Sequence, residues 1–202
     1  MINDGYIKYR AYRNDADIPD IPGLDELNRC RTALFDLGLI GVYPSGIGYG
    51  NVSLRVGADR FVISGSATGR ERVLSSRHYA LVESFDLAEN SVRSTGRIDA
   101  SSESMSHGAV YRAHPGVRCV IHAHSRRLFD RLRAERVPET DPAIPFGTPE
   151  LALAIEKLVR AGGTARGILV TAGHDEGLIV YGESVRTAQA LLTEVNKEGT
   201  EP

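Results

Sequence analysis

Apolar residues recur every three or four positions in three segments of the chain. Residues 23–41, 151–161 and 184–196 carry this spacing, which places their apolar side chains on one face of a helix. Glycines bound the first segment, as expected at helix ends. The pattern therefore predicts three amphipathic helices, each packed by one face against a larger core.

Alternation of apolar and polar residues predicts strands that pair as hairpins. The runs that alternate most clearly are 52–56 and 60–64 around a Gly-Ala-Asp turn, and 79–83 and 91–93 around an Asn turn. Hairpins with helices between them favour an α/β fold of three layers, α/β/α. In this fold a central, mostly antiparallel sheet is covered by helices on both faces.

The composition is that of one globular domain. The chain has 202 residues, 42% of them hydrophobic, and no linker-like stretch in its middle. Residues 1–22 are polar without a clear period and predict an irregular N-terminal arm, which leaves residues 23–202 as a single domain. The cysteines, Cys30 and Cys119, occupy apolar positions and are predicted to be buried thiols.

Charge and hydropathy narrow the possible partners. A formal net charge of −2 gives no reason to expect a nucleic-acid partner. No apolar run approaches the roughly 18 residues of a membrane helix, and the N-terminus lacks a signal-peptide pattern. We therefore expect a cytoplasmic protein with no membrane partner, which suits two reduced thiols.

A fourth helix is predicted between Ser101 and the Pro-Gly pair that follows His114. Ser101 or Ser102 is suited to cap its first turn, and the Pro-Gly pair ends it. Glu103 then lies in the first turn, where the helix dipole favours a carboxylate whether or not it has a chemical role. A tight turn leads from this helix into the next strand, so Glu103 is able to approach the far end of that strand.

That strand carries two histidines one residue apart. Side chains two positions apart point to the same face of a strand, so His122 and His124 are able to bind one cation. A structural histidine pair is the alternative. His174 lies in a glycine-flanked turn between predicted strands at 167–171 and 178–181, and would add a third imidazole. Three imidazoles with one open position are the arrangement of catalytic zinc sites.

The residues beside His174 have more than one possible role. Asp175 and Glu176 are alternative metal ligands, or acceptors for an imidazole N–H group. If Glu103 or Asp175 supplied a fourth ligand, the metal site would be structural. A polar, solvated turn is the simplest alternative.

Two other motifs each have a structural and a ligand-binding interpretation. The glycine-rich stretch 46–51 lies between a helix and a strand, the reverse of the order that a dinucleotide-binding motif requires. Its glycines serve either a turn or the close approach of a ligand to backbone N–H groups. The arginines of segment 125–146 are typical of a solvent-facing helix. The alternative for Arg126 and Arg127, which follow the histidine strand, is an anion clamp beside the metal.

The order and spacing of several short motifs resemble the class II aldolase/adducin family from about Leu24 to Leu192. These motifs are Gly50-Asn51-Val52-Ser53, residues 63–69, Ser101-Ser102-Glu103 with His107, His122-Ala123-His124, residues 147–152, and Gly173-His174. The resemblance implies the same three-layer fold. It also implies a homo-oligomer, because family members are commonly tetramers.

The resemblance further assigns roles to site residues. The family's equivalents of His122, His124 and His174 hold a divalent metal, usually Zn²⁺, with Mn²⁺, Co²⁺ or Fe²⁺ as alternatives, and the glutamate matching Glu103 is the acid/base of the aldolases. Substrate or phosphate binding is expected of Asn51, Ser66, Ala67, Ser101 and Ser102. His107 and Asp175 are candidates to hydrogen-bond the metal-binding imidazoles.

The expected activity is that of a metal-dependent lyase of the aldolase type. Its substrate would be a small sugar phosphate or a related polyhydroxy carbonyl compound, cleaved through a metal-stabilised enediolate. Ala67 stands where the family's phosphate loop has a glycine. No tyrosine lies between His124 and Gly147 or after Tyr181, where the aldolases place proton donors. Dehydratase, epimerase and decarboxylase activities therefore stay open, as does an adducin-like binding module, although that branch lacks the three histidines.

Overall fold

The computed structural model describes residues 6–198. Its strands are β1 Arg10–Asn14, β2 Gly41–Val42, β3 Gly48–Tyr49, β4 Asn51–Arg55, β5 Phe61–Ser64, β6 Tyr79–Asp86, β7 Ser91–Thr95, β8 Cys119–His124, β9 Gly167–Val170 and β10 Gly177–Gly182. Its helices are α1 Leu24–Asp36, α2 Ser104–Ala113, α3 Arg126–Ala134, α4 Pro149–Gly162 and α5 Val185–Lys197. Short 3₁₀ turns lie at Thr68–Arg70 and Ser76–His78.

Eight of the strands form one sheet in the order β1-β7-β6-β5-β4-β8-β10-β9. Every neighbouring pair is antiparallel except β1 and β7, which are parallel. Strands β2 and β3 form a separate small hairpin. The predicted, mostly antiparallel sheet is confirmed, and β8 lies inside it, between β4 and β10.

The helices cover both faces of this sheet. Helices α1, α3 and α5 pack on one face, where Leu27, Leu128 and Leu192 share an apolar cluster with strand residues. Helices α2 and α4 pack on the other face, where Ala109 and Ile155 belong to a second cluster. Alternate residues of each central strand enter the two clusters, so the three-layer α/β/α prediction is confirmed.

The N-terminal segment differs from its prediction. Residues 10–14 form the edge strand β1, although an irregular arm was expected. All five side chains of β1 are exposed, so no alternation of apolar and polar residues marks the strand. Its order comes from backbone pairing with β7, which a hydropathy pattern does not report.

The start of α2 also differs from its prediction. Neither Ser101 nor Ser102 caps the helix, because Glu103 occupies the N-cap position. The Ser101 hydroxyl accepts a hydrogen bond from the Glu103 N–H at 3.2 Å and so closes a turn ahead of the helix. The helix therefore begins later than expected, and its cap is the carboxylate residue itself.

The structure also bears on the two cysteines and on membrane-spanning helices. Cys30 and Cys119 are both buried free thiols, as predicted. Among the helices of residues 6–198, none combines the length and the apolar character that crossing a membrane requires.

Candidate metal centre

Three histidines converge at one end of β8. His122 and His124 point to the same face of β8, and His174 approaches them from the turn that precedes β10. One nitrogen of each ring lies within 4.8 Å of the others, and all three side chains are buried. The ring centroids are separated by 4.7 Å to 5.0 Å.

A glycine allows the His174 turn to close against β8. Gly177 is paired with His124 in the sheet. A Cβ atom there would lie 2.4 Å from Thr171 Oγ1 and 2.9 Å from the His174 carbonyl oxygen. A larger residue would therefore push the turn, and His174 with it, away from the other two imidazoles.

Hydrogen bonds to the Nδ1 atoms of His122 and His124 determine which ring nitrogen carries the proton. His122 Nδ1 lies 3.0 Å from the Leu178 carbonyl oxygen, which can only accept, so His122 carries its proton on Nδ1. His124 Nδ1 lies 2.9 Å from the Tyr43 hydroxyl, which itself donates to Glu176 Oε2 at 2.9 Å. Because the single phenol proton goes to the carboxylate, His124 Nδ1 must be the donor to Tyr43.

The residues present therefore fit a divalent metal. With both protons on Nδ1, the Nε2 atoms of His122 and His124 face each other at 2.9 Å with lone pairs, an arrangement that a shared cation relieves. Two ligands at usual zinc distances and a tetrahedral angle would be about 3.3 Å apart. Burial, and then the neighbouring His122 and His174, holds the pKa of His124 well below its usual range, which favours the neutral, ligating form.

Glu103 reaches the same cavity from the start of α2. Its side chain is buried, and Ser106 Oγ donates a 2.7 Å hydrogen bond to its Oε2. Glu103 lines one cavity together with His122 and His124. Helix α2 and strand β8 thus place the Glu103 carboxylate and two of the imidazoles in one cavity. This agrees with the expectation that Glu103 is able to approach the far end of the histidine strand.

The residues expected to bind substrate line this cavity as well. They are Asn51, Ser66, Ala67, Ser101 and Ser102. Asn51 is paired with His122 across β4 and β8, and its buried Oδ1 has no hydrogen-bond partner within the described part of the chain. A buried amide oxygen without a partner is costly unless a ligand or water satisfies it, which makes Asn51 a candidate to contact a ligand.

The loop 65–69 also lines the cavity. It is tied to the start of α2 by a bridge between Gly65 and Ala100 and by a 2.9 Å hydrogen bond from Ser66 N–H to the Asp99 carbonyl. Ala67 adopts a left-handed conformation with φ of 60°, which explains why a glycine is expected at this position.

His107 and Asp175 contact groups other than the imidazoles they were expected to support. His107 Nδ1 lies 2.7 Å from Ser53 Oγ, which also contacts the Tyr111 hydroxyl at 2.7 Å. Asp175 is exposed and forms an ion pair with Arg126. The outer nitrogens of His122 and His124 instead contact the Leu178 carbonyl and the Tyr43 hydroxyl.

The two arginines after β8 do not form an anion clamp. Arg126 pairs with Asp175 and, through Nε at 3.5 Å, with Glu176. Arg127 donates to the carbonyl oxygen and side chain of Asn196 on α5. Both guanidinium groups are occupied by surface partners, so the solvent-facing interpretation of this segment is confirmed and the clamp is wrong.

Sequence patterns did not reveal three aromatic residues at the centre. Tyr43 and Tyr49 belong to the segment of the β2–β3 hairpin, and the Tyr49 ring lies 5.6 Å from that of His124. Phe146 stacks on His174 with centroids 4.6 Å apart. These residues are isolated aromatics in or beside loops, and no periodicity marks them.

Comparison with known proteins assigns the chain to a family. Residues 45–198 match the sequence model of the family described as Class II Aldolase and Adducin N-terminal domain. The chain belongs to this family. The matched range covers more than half of the chain and includes Glu103 and the three histidines.

Two solved structures share the fold of this family member. L-fuculose-1-phosphate aldolase from Thermus thermophilus is 24% identical with a TM-score of 0.60, covering 88% of this chain and 96% of that chain. A second L-fuculose 1-phosphate aldolase is 20% identical with a TM-score of 0.64, covering 90% of this chain and 85% of that chain. At these identities the likeness shows the fold alone.

A curated relative is similar over a shorter stretch. Methylthioribulose-1-phosphate dehydratase from Leptospira interrogans (serogroup Icterohaemorrhagiae serovar Lai, strain 56601) is 28% identical over 108 residues. The match spans 52% of this chain and 42% of that protein, less than half of the relative's length.

Proposed function

We propose that this protein is a metal-dependent lyase of the aldolase type that acts on a small sugar phosphate or a related polyhydroxy carbonyl compound. The observation that carries the proposal is one cavity that joins His122 and His124 to the buried carboxylate of Glu103, with His174 beside them. Three imidazoles leave a coordination position for substrate, and the carboxylate supplies a proton-transfer group.

His122, His124 and His174 would hold the metal, with Zn²⁺ as the first choice because imidazole suits it and the ligand set is all nitrogen. When bound, a divalent metal would stabilise the negative charge that develops on the substrate's oxygens as the carbon–carbon bond breaks. The Nδ1–H donors of His122 and His124 keep both rings oriented toward the cavity.

Glu103 is proposed to move the proton. In cleavage, the substrate hydroxyl that becomes the aldehyde carbonyl would give its proton to the carboxylate of Glu103, and the carboxyl group would then deliver that proton to the carbon of the enediolate; the reverse reaction would move the proton back along the same path. Ser106 donates a hydrogen bond to Glu103 Oε2, which holds the carboxyl group in one orientation. The other oxygen remains available to face the cavity.

The remaining lining residues are proposed to hold the substrate's anionic group. They are Asn51, Ser66, Ala67, Ser101 and Ser102, which offer amide, hydroxyl and backbone groups. No lysine or arginine is among the described residues that line this cavity. An adjoining cavity shares Gly48, Ala67 and Gly69 with it and adds the cationic side chain of Arg70. Arg70 would balance the charge of a phosphate at the mouth.

A dehydratase is the second candidate function. The similar stretch of the Leptospira interrogans dehydratase supports it. So does the lack of tyrosine between His124 and Gly147, where the aldolases place a proton donor. The same metal ligands and Glu103 would serve, but a hydroxyl group would leave in place of a carbon fragment.

The proposal extends to the assembly and its location. A homotetramer in the cytoplasm is proposed, on the resemblance to the family and on two buried reduced thiols. Gel filtration with light scattering would test the assembly, and a monomer would contradict it.

A product assay tests the proposed reaction. Purified protein loaded with Zn²⁺ would be offered a panel of ketose 1-phosphates and methylthioribulose 1-phosphate, with release of an aldehyde and loss of water measured separately. Aldehyde release supports the aldolase, and water loss without aldehyde supports the dehydratase. Neither product from zinc-loaded protein would reject both.

Glu103→Gln provides the matched variant in that assay. It should retain bound zinc and lose about 10²-fold or more of the turnover, because the amide transfers no proton. Glu89→Gln, at an exposed turn, is the control and should leave turnover unchanged. Full activity of the Glu103 variant would exclude this residue as the proton carrier.

A further inference from the structure

The β2–β3 hairpin brings a phenol against the outer nitrogen of a metal-binding histidine. The Tyr43 hydroxyl lies 2.9 Å from His124 Nδ1 and 2.9 Å from Glu176 Oε2. Tyr43 lies just before residues 45–198, the range that matches the family's sequence model. The neighbouring Tyr49 hydroxyl points elsewhere and donates to the Gly38 carbonyl at 3.2 Å.

When the carboxyl group of Glu176 is ionised, these three groups can hold their protons in one order only. An ionised Glu176 accepts, Tyr43 donates its single proton to it, and the phenol oxygen then accepts the proton of His124 Nδ1. This order leaves the Nε2 lone pair of His124 directed at the two other imidazoles. Reversal would require a proton on Nε2, which would remove His124 as a ligand.

The backbone of Glu176 provides a second, independent observation. Glu176 adopts φ of 65°, a left-handed conformation that costs a residue with a side chain about 1–2 kcal/mol relative to glycine. A glycine would occupy this turn position more easily. The carboxylate is the part of the residue that glycine lacks, and it contacts Tyr43 and, at 3.5 Å, Arg126 Nε.

We propose that Tyr43 and Glu176 are positioning residues that hold His124 in its ligating tautomer and thereby raise the metal affinity of the centre. The inference rests on the proposed function, since it assumes that the three histidines bind a metal. Carboxylate and hydroxyl partners of metal-binding histidines fix ring orientation and raise ligand basicity, and their loss commonly costs 10–100-fold in affinity. The geometry here places such a partner on a hairpin outside the metal-binding strand.

Zinc affinity measured by competition with a chromophoric chelator tests the inference without any substrate. Tyr43→Phe should weaken Zn²⁺ binding by about 10-fold or more, because the ring is kept and only the hydroxyl is lost. Tyr49→Phe is the matched control on the same hairpin. It removes a hydroxyl that donates to the Gly38 carbonyl and not to His124, so it should leave the affinity unchanged.

The variant Glu176→Gly distinguishes an effect on zinc affinity from an effect on the stability of the fold. Glycine relieves the left-handed backbone, so the melting temperature of the metal-free variant should be equal to or above that of the parent, while zinc affinity falls. The double variant Tyr43→Phe/Glu176→Gly should bind zinc no more weakly than Tyr43→Phe alone, because the carboxylate acts through the phenol.

The outcomes distinguish the inference from the proposed function. A parent protein that binds no zinc overturns both. Zinc binding that is equal in the parent, Tyr43→Phe and Glu176→Gly overturns the positioning role and leaves the metal centre intact. Additive losses in the double variant would show that Glu176 acts on the His174 turn, which also overturns the proposed path through Tyr43.

Discussion

At the scale of single residues, Ala67 shows a local conflict between side chain and backbone. Its φ of 60° lies in the left-handed region, where alanine costs about 1–2 kcal/mol relative to glycine. Ala67→Gly should therefore raise the free energy of unfolding by about 0.5–1 kcal/mol, after allowance for the greater freedom of glycine in the unfolded chain. Urea denaturation of the metal-free protein would measure the change.

The control for this substitution is Ala58→Gly in the exposed turn between β4 and β5. Ala58 is not among the residues with positive φ, so glycine there should lower the free energy of unfolding by about 0.4–1 kcal/mol. Opposite signs for the two variants are the expected result. A loss of stability in Ala67→Gly would show that the methyl group contributes packing that outweighs the backbone conflict.

Residues whose role depends on local spacing could be predicted from sequence, and residues whose role depends on long-range contacts could not. His122 and His124 share a face of β8 because of the two-residue strand period alone. Tyr43 contacts His124 across 81 positions of sequence and Glu176 across 133. No local pattern encodes contacts of this kind. The importance of Tyr43 is visible only once the hairpin is folded over the sheet.

At the scale of elements, the β2–β3 hairpin packs tightly on the 3₁₀ turn at Thr68–Arg70. A Cβ atom on Gly69 would lie 2.2 Å from the Gly41 carbonyl oxygen and 2.9 Å from Gly48 Cα, both backbone atoms that cannot move aside. Gly69→Ala should therefore lower the free energy of unfolding by about 1–3 kcal/mol, the usual cost of overpacking. Thermal and urea unfolding would report it.

A helical glycine offers the comparison for Gly69. On Gly162, at the end of α4, a Cβ atom would meet only the Tyr181 hydroxyl at 3.8 Å, an ordinary contact. Gly162→Ala should leave stability unchanged or raise it slightly, since alanine is the better helix former. If Gly69→Ala proved as stable as Gly162→Ala, the close approach of hairpin and turn would be wrong.

Elements with strong periodicity were predicted at their observed places, although the helix expected over 23–41 is Leu24–Asp36 and ends early, and weakly patterned elements were not predicted. The helix expected over 184–196 is Val185–Lys197, with the Ser184 hydroxyl accepting from Thr187 N–H as its cap. Strand β1 was missed because all its side chains are exposed. The β2–β3 hairpin was missed because its two strands have two residues each, and a glycine-rich turn explains such a segment equally well.

At the scale of the whole molecule, the core holds an ionisable group that must remain neutral. The His107 side chain is fully buried between α2 and the sheet. Its Nδ1 contacts the Ser53 hydroxyl, which also contacts the Tyr111 hydroxyl. Burial, and then the nearby His122, holds the pKa of His107 well below its usual range. Burial raises the pKa of Tyr111 well above its usual range, so that phenol stays protonated and adds no charge.

This buried histidine makes the stability of the metal-free protein sensitive to mild acid. When the protein unfolds, His107 regains a pKa near 6.5. Below that pH the unfolded chain therefore binds a proton at His107 that the folded chain does not bind. Its contribution to stability is therefore fully present above about pH 6.5 and is lost as pH falls toward the lower pKa of the folded state. The slope should reach about 1.4 kcal/mol per pH unit for this proton, and the buried His124, whose pKa is also lowered, adds a contribution of the same sign in the metal-free protein.

Chemical denaturation in the presence of a chelator, repeated between pH 8 and pH 5, would measure this dependence. We expect a flat free energy of unfolding from pH 8 to about 7 and a decline below about 6.5, the window in which histidine protonates in the unfolded chain. Carboxylates whose pKa is lowered by arginine partners, such as Asp36 beside Arg72, contribute only at lower pH, since their unfolded pKa lies near 4. Imidazole NMR of the folded protein would assign the effect, because burial should shift the pKa at which the His107 resonance titrates well below the usual range of histidine. A His107 signal that titrates near pH 6.5, or a free energy that stays level to pH 5, would show that the folded protein accepts this proton and that the buried pocket does not exclude charge.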